Sequence, residues 1–315
     1  MTGVKPPGPT IALIGAPTDV GASARGASMG PEALRVAGIA DMFGRRGLAV
    51  RDTGNLQGPA NPWQPPKGGY RHLDEVVAWN GLVHDAVAEA LAAGELPVLL
   101  GGDHSLGIGS ISAVARHCAT TGRKLRVLWL DAHADFNTSV ITPTGNLHGM
   151  PMACLCGDGP TPLIAMSGRV PALEASWVRQ IGVRSIDESE RRRVCESRLE
   201  VYDMRYLDEA GMRMVMESAL MGLDDDTHLH VSFDVDFLDP EIAPGVGTTV
   251  AGGPTYREAQ LCMEMIADTG LLRSLDIVEL NPALDVRNKT AQVAVDLVES
   301  LFGKSTLIRE RVLPD

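Results

Sequence analysis

Three short segments of this 315-residue chain concentrate aspartate and histidine: Gly101-Gly102-Asp103-His104, Asp131-Ala132-His133-Ala134-Asp135 and Asp234-Val235-Asp236. In extended chain, residues i and i+2 point the same way. Asp131, His133 and Asp135 can therefore converge on one point, and so can Asp234 and Asp236. Carboxylates gathered without Lys or Arg repel one another unless cations sit among them. One metal ion would use few of the ligands His104, Asp131, His133, Asp135, Asp234 and Asp236, whereas two divalent ions about 3.5–4 Å apart would use them all. The donors are oxygen and imidazole, with no thiolate. That set disfavours structural zinc and suits a harder ion such as Mn²⁺, with Mg, Fe, Co and Ni also compatible. Taken singly, a D-x-D pair reads as a solvated turn and a histidine after a strand reads as packing; the signal is their coincidence.

The elements that must position these groups are short buried strands. Apolar runs at 11–15 (IALIG), 97–100 (PVLL), 127–130 (VLWL), 178–183 (VRQIGV), 229–233 (LHVSF) and 275–280 (LDIVEL) are nearly continuous, as in strands covered on both faces. Each acidic segment follows one of them directly. LDIVEL carries Glu279 near its end, and VRQIGV leads into Arg184, Asp187 and Glu190. Helical patterns lie between: 74–93 has one apolar stripe, 289–302 another, and TYRE at 255–258 is a capping box before a helical run. This alternation predicts a parallel sheet with helices on both faces. Ligands of such sheets bind beyond the carboxyl ends of the strands. The Pro/Gly-rich stretch 54–69 (GNLQGPANPWQPPKGG) reads as a surface loop, and CGDGPTP (156–162) as another.

Composition excludes several classes. A net charge of -12 argues against a nucleic-acid or anionic-membrane partner and is compatible with a cationic substrate. Five cysteines without a C-x-x-C pair read as reduced, mostly buried thiols of a cytoplasmic protein. The N-terminal MTGVKPPGPT lacks the pattern of a signal peptide, and no apolar stretch is long enough to span a bilayer. The C-terminal GKSTLIRERVLPD reads as a tail or an interface element.

Beyond the acidic segments, GGDHSLGIGS, DAHADFNT, TGNLHGMP, SFDVDFLDP, GGPTYREA and DIVELNPALD resemble, in order and across nearly the whole chain, the ureohydrolase (arginase/agmatinase) family, and arginases most closely. The resemblance implies one domain over 1–315, an α/β fold of three α/β/α layers around a central parallel sheet, and a homotrimer or homohexamer. It implies two Mn²⁺ per subunit bridged by hydroxide. One ion would take His104, Asp131, Asp135 and Asp234, and the other Asp131, His133, Asp234 and Asp236. By the same resemblance the hydroxide attacks a guanidinium carbon, Asp135 passes a proton to the leaving amine, His148 shuttles protons to solvent and Glu279 pairs with the guanidinium. Asn137, Thr144 and Asn146 match positions that hold an amino-acid carboxylate in arginases. Asp187, with Glu190 nearby, matches the residue that meets the α-ammonium, and Thr248 matches a rim threonine. The implied reaction is L-arginine plus water to L-ornithine and urea, with agmatinase, guanidinobutyrase or formiminoglutamase as alternatives. A non-catalytic metal-binding relative would be expected to lose a ligand or His148, and none is lost. The chain departs from the usual pattern at Thr144, where serine is common, and at Ser185, where an aspartate is common.

Overall fold

A computed structural model describes residues 8–307. Most of the N-terminal segment and the residues from 308 onward, including the end of GKSTLIRERVLPD, lie outside the described residues. An eight-stranded sheet forms the centre, built from β1 (Ile11–Gly15), β2 (Val50–Asn55), β3 (Leu96–Leu100), β4 (Lys124–Leu130), β5 (Val178–Val183), β6 (Glu200–Asp203), β7 (Thr227–Asp234) and β8 (Leu272–Val278). All neighbouring pairs are parallel, in the order β2-β1-β3-β8-β7-β4-β5-β6. The helices are α1 (Gly30–Val36), α2 (Ile39–Arg45), α3 (Leu73–Ala92), α4 (Gly107–Thr121), α5 (Pro151–Leu155), α6 (Thr161–Ile164), α7 (Glu188–Glu196), α8 (Met204–Ala219), α9 (Tyr256–Thr269) and α10 (Lys289–Leu301).

The period-2 alternation of the strands sorts their side chains into two cores. Leu128 and Leu130 of β4 join Leu229, Val231 and Phe233 of β7 against α1, α2, α8, α9 and α10. Val127 and Trp129 of β4 face the other way, against α3 to α6. On that second face β7 is polar: His228, His230, Ser232 and Asp234 are buried beside Ser274 and Asp276 of β8. His230 and His228 both hydrogen-bond Ser274 Oγ, at 2.8 and 2.9 Å, which offsets the cost of burying imidazoles there. The helices are locally consistent with this plan. In α9, Thr255 and Glu258 form the reciprocal capping box, and Gly270 ends the helix with φ 65°.

The expected strands and the two striped helices are present; 11–15 and 178–183 match β1 and β5 at both ends, and the others differ by up to three residues at an end. Two strands have no apolar run in sequence, β2 (VRDTGN) and β6 (EVYD). Both are edge strands whose residues, apart from the buried Tyr202 of β6, are half-exposed or exposed, so little forces them to be apolar. The 275–280 run is shorter at its end than expected: β8 stops at Val278, and Glu279 turns away with φ 63°. The loop at 156–162 likewise gives way to α6 at Thr161. All five cysteines are free, with Cys118, Cys154 and Cys262 buried and Cys195 exposed. Among the described residues no helix is long and apolar enough to cross a membrane.

Candidate metal centre and substrate-recognition rim

The strand order brings together what the chain separates. β3, β8, β7 and β4 are consecutive in the sheet, and their carboxyl ends deliver His104, Glu279, Asp234 with Asp236, and Asp131 to Asp135 to one edge. The next strand, β5, leads to Asp187 and Glu190.

After β3 the chain makes a tight turn through Gly101 and Gly102. A Cβ on Gly102 would lie 1.7 Å from the Thr18 carbonyl oxygen, so only glycine fits. Asp103 then caps the short 3-10 turn His104–Leu106 by accepting from Ser105 N at 3.0 Å, and its other oxygen accepts from Gly21 N at 2.8 Å. This fixes His104. Its ring stacks on Trp129 at 4.0 Å between centroids and 8° between planes, and its Nε2 lies 2.8 Å from Ser232 Oγ. With Nε2 engaged by Ser232, Nδ1 faces the acids, 3.1 Å from Asp131 Oδ2, 3.1 Å from Asp234 Oδ2 and 3.3 Å from Asp135 Oδ2.

The Asp131–Asp135 segment does not converge on a single point. Asp135 has φ 51°, so the extended alternation breaks there. Two groups result: His104, Asp131 and Asp135 in one, and Asp131, His133 and Asp236 in the other, with Asp131 common to both. Asp234 adjoins the first group through its contact with His104. His133 Nδ1 lies 3.1 Å from Asp236 Oδ2. Backbone and side-chain donors orient Asp131, Asp234 and Asp236, while Asp135 faces His104. Asp131 accepts from Trp129 Nε1 at 2.8 Å and from His133 N at 2.6 Å. Asp234 accepts from Asp236 N at 2.7 Å. Asp236 accepts from Ala132 N at 3.1 Å and Thr248 Oγ1 at 3.0 Å, so Thr248 touches the acid cluster itself.

The electrostatics match the geometry. Asp131, Asp135, Asp234 and Asp236 are all buried. Burial and the neighbouring acids push Asp234 well above the usual carboxylate range and Asp135 up to about 6. Burial opposes charge on Asp131 too, yet hydrogen bonds from His104 and His133 hold it below that range. Burial would lower the two imidazoles, but the acids outweigh it: His104 is raised well above its ordinary value and His133 to about 12. The nearby Arg184 does not pair with the acids; its guanidinium donates to the carbonyls of Asp236, Phe237, Leu238 and Val250. Buried acids whose only close cationic partners among the described residues are imidazoles form a donor set that divalent cations fit.

Beside this cluster lies a rim of amides and acids. Glu279 is buried, and its Oε1 accepts from His104 N at 2.8 Å and meets His148 Nδ1 at 2.9 Å. Burial works against charge on both, but their pairing prevails, so His148 is raised to about 9 and Glu279 lowered. Asn137 Nδ2 donates to Asp187 Oδ2 at 3.0 Å, while Asn137 Oδ1 is buried with no hydrogen-bond partner among the described residues. The other oxygen of Asp187 caps α7 by accepting from Ser189 N and Glu190 N. Glu190 is turned inward, accepting from Phe136 N at 2.8 Å, and burial pushes it up to about 7. Thr144 is exposed, with Oγ1 accepting from Asn146 N at 3.2 Å. Asn146 is buried, and its Nδ2 donates to Ser23 Oγ at 3.0 Å.

Trp129, Ser232, Asp103 and Arg71 also shape the site and were not singled out from the sequence. Trp129 and Ser232 carried a signal, because each stands two residues before an acid on the same strand face, Asp131 and Asp234. Arg71, which reaches Asn146 from the segment between the Pro/Gly-rich loop and α3, carried none.

Comparison with known proteins agrees with this architecture. The family model described as "Arginase family" matches residues 9–303. The arginase of Brucella melitensis is 45% identical over 306 residues, covering 95% of this chain and 98% of its own. That of Bacillus subtilis is 42% identical over 299 residues, covering 95% and 99%. The native structure of the arginase from Bacillus caldovelox superposes with a TM-score of 0.89 at 40% identity, covering 95% of this chain and all of that one. With the family model spanning nearly the whole chain and these relatives aligned end to end, this protein belongs to the arginase family of hydrolases.

Proposed function

We propose that the protein hydrolyses L-arginine to L-ornithine and urea, using two Mn²⁺ ions per subunit. His104, Asp131, Asp135 and Asp234 would hold one ion, and Asp131, His133, Asp234 and Asp236 the other. When bound, two such ions supply hydroxide near neutral pH by acidifying water. The chain's own residues do the rest. Glu279 is kept ionised by His148, and with Oε1 occupied it offers Oε2 to the substrate guanidinium. Asp135 delivers the proton that the departing amine needs when its bond to the guanidinium carbon breaks. His148, half-buried between Glu279 and the rim, exchanges protons with solvent.

The observation that carries the choice of arginine is the contact between Asn137 and Asp187 at the rim. It sets a neutral amide beside a carboxylate, with Asn146 near His148, and this pattern complements the carboxylate and ammonium of an amino acid. Asp187 meets the ammonium while Asn137, Thr144 and Asn146 meet the carboxylate; Glu190 and Thr248 support the rim from behind. The free thiols fit a reducing compartment, and we assign the enzyme to the cytoplasm as a homotrimer or homohexamer. Urea release from L-arginine, agmatine and guanidinobutyrate by Mn-loaded protein, with metal analysis on the same sample, tests the reading. L-arginine should be strongly preferred; a preference for agmatine would overturn it.

A further inference from the structure

Arg71 stands between the Pro/Gly-rich loop and α3, far in sequence from every acid of the site. Its backbone N–H donates to the Gly145 carbonyl at 2.7 Å. Its Nε donates to Asn146 Oδ1 at 2.8 Å, and its Nη1 to the Gln64 carbonyl at 3.0 Å. Among the described residues no carboxylate pairs with it. The loop is pressed close here: a Cβ on Gly145, where φ is 74°, would lie 2.7 Å from Pro66 Cβ.

The chemistry of this contact has a direction. A guanidinium has donors and no acceptor, so it tolerates only the oxygen of an amide. With Oδ1 held by Arg71, the Asn146 amide must turn Nδ2 the other way, where it meets Ser23 Oγ at 3.0 Å and stands 3.5 Å from His148 Nε2. The flipped amide would set Nδ2 against Nε, donor against donor, and would present Oδ1 to the site. A substrate carboxylate is an acceptor only and would be repelled by that oxygen.

We propose that Arg71 is a specificity-determining positioning residue, which locks the Asn146 amide with its N–H side toward the site and so selects guanidines bearing an α-carboxylate. The proposal rests on the arginine reading above. Its test uses full-length Mn-loaded protein, with kcat and KM measured for L-arginine and for agmatine. Arg71→Met keeps the apolar stem and removes the donors. Loss of a charge-assisted hydrogen bond should raise KM for L-arginine by roughly tenfold or more, with kcat, metal content and kcat/KM for agmatine little changed. Arg71→Lys restores the cation and one donor, and should recover part of the loss. In an Asn146→Ala background, Arg71→Met should add no further change in KM, because the amide it orients is gone. A brace that only holds the loop would instead lower activity on both substrates alike and add its effect to that of Asn146→Ala; either result, or an unchanged KM, overturns the proposal. Should Arg71→Met fail to fold, the KM of Arg71→Lys in the two backgrounds separates the same two roles. A wild-type protein that prefers agmatine would sink the arginine reading itself, whereas one that prefers L-arginine yet ignores Arg71 would sink only this inference.

Discussion

Replacing Trp129 by phenylalanine isolates one hydrogen bond behind the proposed metal centre. The indole is fully buried, its ring lies flat against His104, and its Nε1–H donates at 2.8 Å to Asp131 Oδ2. Phenylalanine keeps an aromatic face for His104 and removes the donor. Asp131 belongs to both candidate ligand groups, so its orientation bears on both proposed ions. A hydrogen bond to a charged group contributes about 1.5–3 kcal/mol, and at about 1.4 kcal/mol per tenfold that is roughly a 10- to 100-fold loss of metal affinity. Protein equilibrated in chelator-buffered Mn²⁺ should show that shift in the midpoint of metal content measured by mass spectrometry. With saturating Mn²⁺, kcat should be close to wild type, since no group that meets substrate has changed. An unmoved midpoint would refute the orienting role of Trp129. A normal midpoint with collapsed kcat would place Trp129 in the chemistry instead.

Other perturbations probe the remaining parts. Asp131→Ala should abolish urea release and metal content together, whereas His148→Ala should slow turnover and leave metal content intact; metal loss in the second variant would make His148 a ligand. Metal affinity should rise with pH, because the acids hold His104 well above its ordinary value and raise His133 to about 12, so both imidazoles hold protons that a metal must displace. Below about pH 6 Asp135 takes a proton as well and affinity should fall more steeply, so calorimetric titrations that gave the same affinity on both sides of that pH would contradict the ligand set. Gly102→Ala would force a Cβ to 1.7 Å from a backbone oxygen, which cannot move aside; a loss of about 4 kcal/mol or more in stability is expected, and a variant that melts like wild type would be inconsistent with the turn as described.

The amino-acid sequence by itself determined that charged ligands follow buried strands. That link is local: a run such as VLWL can only be covered on both faces, and the polar DAHAD after it must leave the sheet at its carboxyl edge. The fold class follows from the same alternation of apolar runs and helical stripes. The rim roles came from likeness to a family, since Asn137, Thr144 and Asn146 alone read as turn residues. Tertiary structure decided what local pattern cannot encode. Only the strand order β3-β8-β7-β4 places His104, Glu279, Asp234 and Asp131 side by side, because adjacency in a parallel sheet is set by helix crossovers and packing, not by sequence distance. The edge strands β2 and β6 stayed hidden because exposed strands need no apolar run. The positive φ of Asp135 and of Glu279 splits the ligands into two groups and ends β8 early, against the extended alternation of their neighbours. Arg71 reaches Asn146 across 75 positions of sequence, a contact that exists only once the Pro/Gly-rich loop has docked on Gly145.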